Sequence, residues 1–235
     1  MVSCSKSVVG ILLAPGVTAV GLALLTDPSQ PGAQSLAPGS VLLRDDFNGG
    51  AANGWTASPL GNAVGWSIVG GAFSYDGRGH TQSYLGDPSW SDYTLDVKIC
   101  LATLGNYPGG VRGRVDPATG AGYAVWLSPG TGEIWLARAT ALDIASPGFT
   151  QLGIATRISF DTGAFHALRV IFTGSVIEVF YDGRLVILVT DMAYRSGVIA
   201  LNVSNQPIDF DDVTVTTYND MKLLPSLSTP VCLPT

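Results

Sequence analysis

Hydrophobic and polar residues alternate along much of the chain after residue 40. The clearest case is the segment Tyr93 to Leu101, in which the odd positions are apolar and the even positions are mostly polar. A period of two is typical of an antiparallel strand with one buried face, so we expect the odd positions to face the core. Similar segments recur at Val111 to Val115, Gly122 to Leu127, Glu133 to Ala139, His166 to Phe172, Val176 to Tyr181, Leu185 to Thr190, Gly197 to Val203 and Phe210 to Thr217.

Residues that favour tight turns separate these segments. Asp182-Gly183 is the pair that a two-residue hairpin turn prefers, and Ser128-Pro129-Gly130 and Thr173-Gly174-Ser175 stand between other strands. No segment combines a sustained helical period with capping residues. The pattern therefore predicts an all-β fold, a sandwich or a barrel, in which strands pair with their neighbours in sequence.

The composition agrees with this class and limits the function. Hydrophobic residues make up 46% of the chain and charged residues 13%, and the 29 glycines and 14 prolines suit short strands joined by tight turns. The net charge is −6, and lysine and arginine do not cluster. Binding to nucleic acid depends on neutralising phosphates with basic side chains, so the sequence predicts no nucleic-acid partner.

The first 40 residues differ from the rest of the chain. Lys6 precedes an apolar run from Ser7 to Leu25, and a segment rich in proline, glycine and serine follows. This order indicates a signal peptide of a secreted protein, or a membrane anchor if the segment is retained. We therefore predict an N-terminal segment at 1–40, a β domain at 41–218 and an irregular tail at 219–235.

Several short segments, taken in order, resemble the concanavalin A-like lectin/glucanase fold, including the laminin G-like jelly-roll domains of bacterial extracellular proteins. Among them are Leu42 to Asn48, Gly54-Trp55, Gly65 to Gly71, Gly122 to Leu127, Ser196 to Leu201 and Phe210 to Val215. The resemblance implies a two-sheet antiparallel jelly-roll sandwich in which the first and last strands are adjacent. It implies less about function, because this scaffold carries lectins, carbohydrate-binding modules, adhesion domains and hydrolases.

The sequence lacks the carboxylate motif of retaining glucanases and the serine motif of hydrolases. Retaining glucanases place two carboxylates about 5 Å apart, whereas the two glutamates of this chain, Glu133 and Glu178, lie on separate predicted strands. His80 and His166 have no neighbours of the kind that a hydrolase motif provides. The sequence therefore favours a secreted, non-catalytic module that binds carbohydrate or a cell-surface glycan. A structural or adhesive surface protein that self-assembles is the second interpretation, and a glycoside hydrolase-like enzyme is the third.

Sugar binding requires an aromatic ring surface and planar hydrogen-bond donors. Strand parity places Val111, Gly113 and Val115 in the core. If the outward positions of neighbouring strands lie on the same side of one sheet, their side chains line one binding face. These candidates are Arg114, Trp126, Trp135, Asp96 and Lys98. The alternative is that both tryptophans belong to the core and that Arg114 and Arg112, which share a parity, are solvated.

Two further expectations concern metal and disulfide bonding. The resemblance implies a structural calcium ion held by Asp211 near the last strand, with Asp46 as a second ligand. The alternative is that these aspartates are capped or solvated turn residues. Removal of a signal peptide would take Cys4 with it and leave Cys100 and Cys232, which either form a disulfide or remain free thiols.

Overall fold

The structure is a computed structural model that describes residues 37–58, 65–105, 107–141 and 148–218. No helix within these ranges is long and apolar enough to cross a membrane. The strands are β1 (Val41–Asp45), β2 (Thr56–Ala57), β3 (Trp66–Val69), β4 (Ala72–Asp76), β5 (His80–Leu85), β6 (Tyr93–Leu101), β7 (Gly109–Val115), β8 (Gly122–Ser128), β9 (Glu133–Ala139), β10 (Phe149–Thr156), β11 (Phe165–Thr173), β12 (Val176–Tyr181), β13 (Arg184–Thr190), β14 (Val198–Ser204) and β15 (Pro207–Thr217).

These strands form two antiparallel sheets. Sheet I has the order β13-β12-β11-β6-β15-β4-β3, with β1 also paired to β15, and sheet II has the order β10-β9-β8-β7-β14-β5-β2. The sheets pack as a sandwich, which confirms the predicted jelly-roll class. The first and last strands are adjacent as expected, with Asp45 opposite Val213 in the register.

The hydrophobic core lies between the two sheets. On β6, Tyr93, Leu95, Val97 and Ile99 are at most 3% exposed, so the odd positions face the core as predicted. Sheet II contributes Val111, Tyr123, Val125 and Leu127, among others, to the same cluster. Burial of each such side chain stabilises the fold by about 1.5–3 kcal/mol, which makes this layer the main source of stability.

The turn between β12 and β13 has the predicted two-residue form. Asp182 and Gly183 both have positive φ angles, of 48° and 77°. Two successive positive φ angles define the turn type that matches the twist of a β-hairpin, and aspartate followed by glycine adopts it readily.

A β-bulge near the end of β7 overturns part of the predicted parity. Val198 of β14 is opposite Val115, but Ala200, two residues further along, is opposite Arg112, so β7 contains one extra residue. Arg114 lies in the bulge with a φ of 49°. Val115 consequently packs on the outward side of sheet II with Val198 and Ala200 instead of in the main core. The prediction that Val115 shares a face with Val111 was therefore wrong.

Candidate functional site

A single row of paired residues crosses the outward side of sheet II. From β9 to β5, the register aligns Trp135, Trp126, Gly110, Asn202 and Gln82. The residues between them on the same strands, such as Val125 and Leu136, belong to the core cluster, so this row faces away from it. We call this row, together with Arg112 in the neighbouring row, the polar-aromatic face.

Trp126 is the centre of the polar-aromatic face, although it is only 2% exposed. Its indole Nε1 donates a hydrogen bond of 2.6 Å to Oδ1 of Asn202, two strands away. The intervening β7 residue is Gly110, which has no side chain to block this contact. The ring of Phe149 approaches the indole edge-on, with 5.5 Å between the ring centroids. These contacts hold the indole in one orientation.

Arg112 lies beside this indole, with its guanidinium carbon 5.6 Å from the ring centroid. Nη1 donates to the carbonyl oxygens of Gly120 and Ala141 at 2.9 and 3.0 Å. With the Gln82 amide oriented so that both of its ends are satisfied, its oxygen accepts from the same guanidinium. Burial lowers the pKa of Arg112 to about 10, so the side chain stays charged at neutral pH. Arg112 therefore fixes loops and neighbouring side chains at the base of the face.

Trp135 is the tryptophan of this face that solvent reaches, because it is partly exposed. Its Nε1 donates to Oε2 of Glu133 at 2.9 Å, and the Thr131 hydroxyl donates to the same oxygen. The Phe149 ring lies 6.5 Å from the indole, centroid to centroid. Trp135 thus presents an oriented aromatic surface over a buried, hydrogen-bonded base, which suits stacking against the apolar face of a sugar ring.

Trp126 and Trp135 share the outward side of sheet II, as the parity predicted, but Arg114 does not join them. The bulge turns Arg114 towards the edge between the sheets, where it is 1% exposed and its guanidinium lies 5.1 Å from the Phe172 ring centroid. Its donors are taken by Ser91 O, Gly174 O, Tyr194 O and Asp92 Oδ1. The expectation that Arg114 lies outside the core was wrong. Arg112 occupies the place beside the Trp126 indole that was expected for Arg114.

Asp96 and Lys98 are also absent from this face, because β6 belongs to sheet I. They lie on the outward side of that sheet, where Asp96 forms an ion pair of 2.6 Å with Arg169 and Lys98 forms one of 2.7 Å with Asp212. The two sheets separate these residues from both tryptophans. The structure therefore does not bring the five predicted ligand-binding residues together.

The predicted calcium ligands lie near one end of the β1–β15 pairing: Asp46 directly follows β1, and Asp211 lies two residues before Val213, the partner of Asp45. Oδ1 of Asp46 accepts from Asn48 N at 3.1 Å, and Oδ1 of Asp211 accepts from Asp212 N at 2.9 Å. In the part of the chain that the structure describes, no three histidine, cysteine, aspartate or glutamate side chains are grouped as metal ligands. Calcium binding by Asp46 and Asp211 stays a prediction.

Cys100 is fully buried on β6 and takes part in a disulfide. Cys4 and Cys232 both lie outside the described residues, as do most of the N-terminal segment and the tail. The pairing of Cys100 with Cys232, and the fate of residues 1–40, therefore stay predictions.

Three residues that build the face were not among the predicted ligand-binding residues: Gln82, Arg112 and Asn202. Asn202 begins an Asn-Val-Ser sequence that formally allows glycosylation, yet it is 1% exposed and holds Trp126 in place. The register of the strands could have identified them, because all three become neighbours of the tryptophans once β8, β7, β14 and β5 are aligned. Arg112 also has the same parity as Gly110.

Comparison with known proteins identifies a family for this chain and solved structures with a similar fold. A family model described as the 3-keto-alpha-glucoside-1,2-lyase-like domain matches residues 43–216. Over 150 residues, the chain is 29% identical to an extracellular exo-alpha-L-arabinofuranosidase of Streptomyces chartreusis. That match covers 63% of this chain but 17% of the relative, so the chain spans less than a fifth of that protein's length.

Two of the solved structures that match this chain illustrate the shared sandwich. Carbohydrate binding module CBM66 from Bacillus subtilis aligns with a TM-score of 0.59 and 21% identity, over 70% of this chain and 96% of the module. Domain 4 of AbnA, a GH43 extracellular arabinanase from Geobacillus stearothermophilus solved with arabinotriose, aligns with a TM-score of 0.54 and 16% identity. That alignment covers 77% of this chain and 94% of the domain. At such identities the likeness shows the fold alone.

Proposed function

The chain belongs to the family of 3-keto-alpha-glucoside-1,2-lyase-like domains, and we propose that it is a carbohydrate-binding module that uses the polar-aromatic face. The observation that carries this proposal is Trp135, a partly exposed indole oriented by Glu133 and supported by the buried indole of Trp126. An aromatic ring with a fixed orientation binds the apolar face of a sugar without losing side-chain entropy on binding. Arg112, Asn202 and Gln82 keep that ring's support rigid.

The comparisons support the same proposal. CBM66 is named as a carbohydrate binding module, and the AbnA domain was solved with arabinotriose. The arabinofuranosidase relative and the arabinanase are both named as extracellular. We therefore also propose that this module acts outside the cell, where polymeric carbohydrate is found.

Binding is tested by presenting the purified protein to an array of neutral and acidic oligosaccharides that includes arabinotriose, cellotriose and maltotriose. We expect saturable binding to at least one neutral oligosaccharide. Because the protein has a net charge of −6, we expect acidic oligosaccharides to bind more weakly than neutral ones of the same length. Failure to bind any neutral oligosaccharide on the array would overturn the proposed function.

A second candidate is catalysis on a sugar, which the description of the family and the arabinofuranosidase relative favour. Glu133 is a carboxylate on the polar-aromatic face and lies beside Trp135. Incubation with a 3-keto-alpha-glucoside and with an aryl alpha-L-arabinofuranoside, followed by product analysis, separates the two candidates. Turnover that is lost in Glu133→Gln would establish the enzyme, whereas binding without product formation supports the module.

A further inference from the structure

A cavity of about 270 Å³, open to solvent on one side, lies at the end of the sandwich where β7 finishes. Three loops line it: the loop before β6, the turn between β11 and β12, and the loop before β14. The residues that they contribute are Ser91, Asp92, Gly174, Ser175, Met192 and Arg195. Arg114 also lines the cavity although it is only 1% exposed, so the cavity reaches inward to the β7 bulge. We call this cavity the Arg114 pocket.

Hydrogen bonds between the three loops fix the shape of the Arg114 pocket. Oδ1 of Asp92 accepts from the backbone nitrogen of Gly174 at 2.9 Å, which joins the loop before β6 to the turn. The backbone oxygen of Ser175 accepts at 2.8 Å from the first backbone nitrogen of the loop before β14. Trp90 O accepts from Gly197 N at 3.0 Å, which joins the first loop to the third. A cavity whose walls are already tied together loses little conformational entropy when it binds a ligand.

The base of the pocket holds a donor and an acceptor side by side. A guanidinium has five N–H groups, and Arg114 uses four of them to donate to Ser91 O, Gly174 O, Tyr194 O and Asp92 Oδ1. Within the part of the chain that the structure describes, the second N–H of Nη2 has no acceptor. Oδ2 of Asp92 has no donor there either, and this side chain is 50% exposed. The 3.1 Å ion pair between Nη2 and Oδ1 keeps the two groups adjacent.

Arg195 and Met192 form the outer wall of the pocket. Arg195 is exposed and forms no ion pair with the described residues, so its planar guanidinium can donate to a ligand. Met192 is 56% exposed and supplies an apolar surface that adapts its shape. The hydroxyl groups of Ser91 and Ser175 can either donate or accept. The wall therefore adds donors and apolar surface to the charged base.

This combination of groups matches a small neutral ligand that carries several hydroxyl groups. A hydroxyl can donate to Asp92 Oδ2 while it accepts from Arg114 or Arg195. The C–H surface of a sugar ring can pack on Met192. An anion would meet the Asp92 carboxylate, and a cation would meet two guanidinium groups. The volume is below the range of about 300–1,000 Å³ for pockets that hold drug-sized molecules, so it suits one ring and not an oligosaccharide.

We propose that the Arg114 pocket binds a single neutral sugar ring, separately from the polar-aromatic face. Arg114 lies four residues beyond Gly110 on β7, about 13 Å along the strand. Trp135 is two strands away from Gly110 across the sheet. One sugar ring therefore cannot contact both Trp135 and the pocket. This inference goes beyond the proposed function, which concerns the surface at Trp135 and does not depend on the pocket.

The test is calorimetric titration with methyl α-L-arabinofuranoside, methyl α-D-glucopyranoside and sodium D-glucuronate. We expect saturable binding of at least one methyl glycoside and weaker binding of glucuronate. Arg195→Ala should raise the Kd of that glycoside about tenfold, because it removes hydrogen bonds from a charged donor. Arg184→Ala is the control, since Arg184 is also an exposed arginine but begins β13, whereas the loop that carries Arg195 follows the end of that strand. This control should bind like the wild type.

Asp92→Asn tests the acceptor at the base of the pocket. Its amide oxygen can still accept from Gly174 N and Arg114, while an NH2 group replaces Oδ2, so the Kd of the methyl glycoside should rise by a similar factor. The melting temperature checks that this variant is folded, and if it is not, Arg195→Ala decides alone. Trp135→Ala should bind the methyl glycoside like the wild type.

Two results would overturn the pocket and leave the proposed function to its own test with trisaccharides. One is that the wild-type protein binds neither methyl glycoside, and the other is that Arg195→Ala binds with the wild-type Kd. Loss of methyl glycoside binding in Trp135→Ala would place this ligand on the polar-aromatic face and so contradict the separate site. Tighter binding of glucuronate than of either methyl glycoside would assign the pocket to anions and contradict the proposed ligand.

Discussion

The guanidinium of Arg114 donates a 2.8 Å hydrogen bond to the carbonyl oxygen of Gly174, 60 residues further along the chain. The same side chain also contacts the loop before β6 and the loop before β14 through Ser91 O and Tyr194 O. One buried cation therefore ties three loops together at one end of the sandwich. The β7 bulge makes this possible, because it turns Arg114 away from the outward side of sheet II.

Arg114→Ala should destabilise the protein strongly. The substitution removes a side chain that is 1% exposed and leaves its carbonyl acceptors without donors, at a cost of roughly 3 kcal/mol or more in the free energy of unfolding. Urea denaturation measures this change. Arg169→Ala is the control, because its ion pair with Asp96 lies on the exposed side of sheet I and should contribute less than about 1 kcal/mol. Equal stability of the two variants would contradict the structural role of Arg114.

Trp126→Ala should also destabilise the fold, although Trp126 faces away from the core. Its indole is 2% exposed, and its loss leaves a cavity and removes the donor to the buried Asn202 Oδ1, so we expect a loss of about 3–5 kcal/mol. Trp135→Ala, at a partly exposed position, should lose about 1 kcal/mol. Thermal denaturation of both variants checks the difference. If Trp126→Ala were as stable as Trp135→Ala, Trp126 would not be part of the buried layer of side chains beneath Trp135.

Stability should fall in acid partly because of Asp191. Burial raises the pKa of this carboxyl, but hydrogen bonds from Tyr123 OH, Ala193 N and Arg138 outweigh burial and leave the pKa below its usual value. A carboxylate with a lowered folded-state pKa stabilises the protein above about pH 4, and this contribution disappears as the pH falls through the folded-state pKa. Unfolding measured between pH 7 and pH 2 should therefore be less pH-dependent in Asp191→Asn.

Tyr123→Phe separates this effect from a general loss of stability. It removes the 2.6 Å hydrogen bond to Asp191 Oδ1 but keeps the carboxylate, so the pH dependence should decrease only in part. An Asp191→Asn protein with the full acid sensitivity of the wild type would assign that sensitivity to other carboxylates.

Strand pattern predicted much of the fold. The alternation in β6, the Asp182-Gly183 turn and the shared side of Trp126 and Trp135 all follow from a period of two and from turn chemistry. Strands such as β5 were harder to recognise, because its sequence His-Thr-Gln-Ser-Tyr-Leu is polar on both sides and is nevertheless mostly buried. Its buried polar side chains build part of the candidate site, so the alternation of apolar and polar residues does not identify this strand.

Two features of the site could not be read from parity. One is the bulge at Arg114, since an arginine with a φ of 49° gives no local signal of the kind that glycine or asparagine gives. The other is the assignment of strands to sheets. The chain passes from sheet I to sheet II between β6 and β7, so equal parity placed Asp96 and Trp126 together although they lie on opposite surfaces.

The central claim is that Trp135 binds sugar on the outward side of sheet II, and calorimetric titration of Trp135→Ala against Phe180→Ala tests it most directly. Phe180 is a partly exposed aromatic residue on the outward side of sheet I, where it adjoins Arg169, and is therefore a matched control. With the tightest-binding neutral oligosaccharide, Trp135→Ala should lose about 2 kcal/mol of binding free energy, roughly a thirtyfold rise in Kd, while Phe180→Ala binds like the wild type. Wild-type affinity in Trp135→Ala, or an equal loss in Phe180→Ala, would contradict the claim.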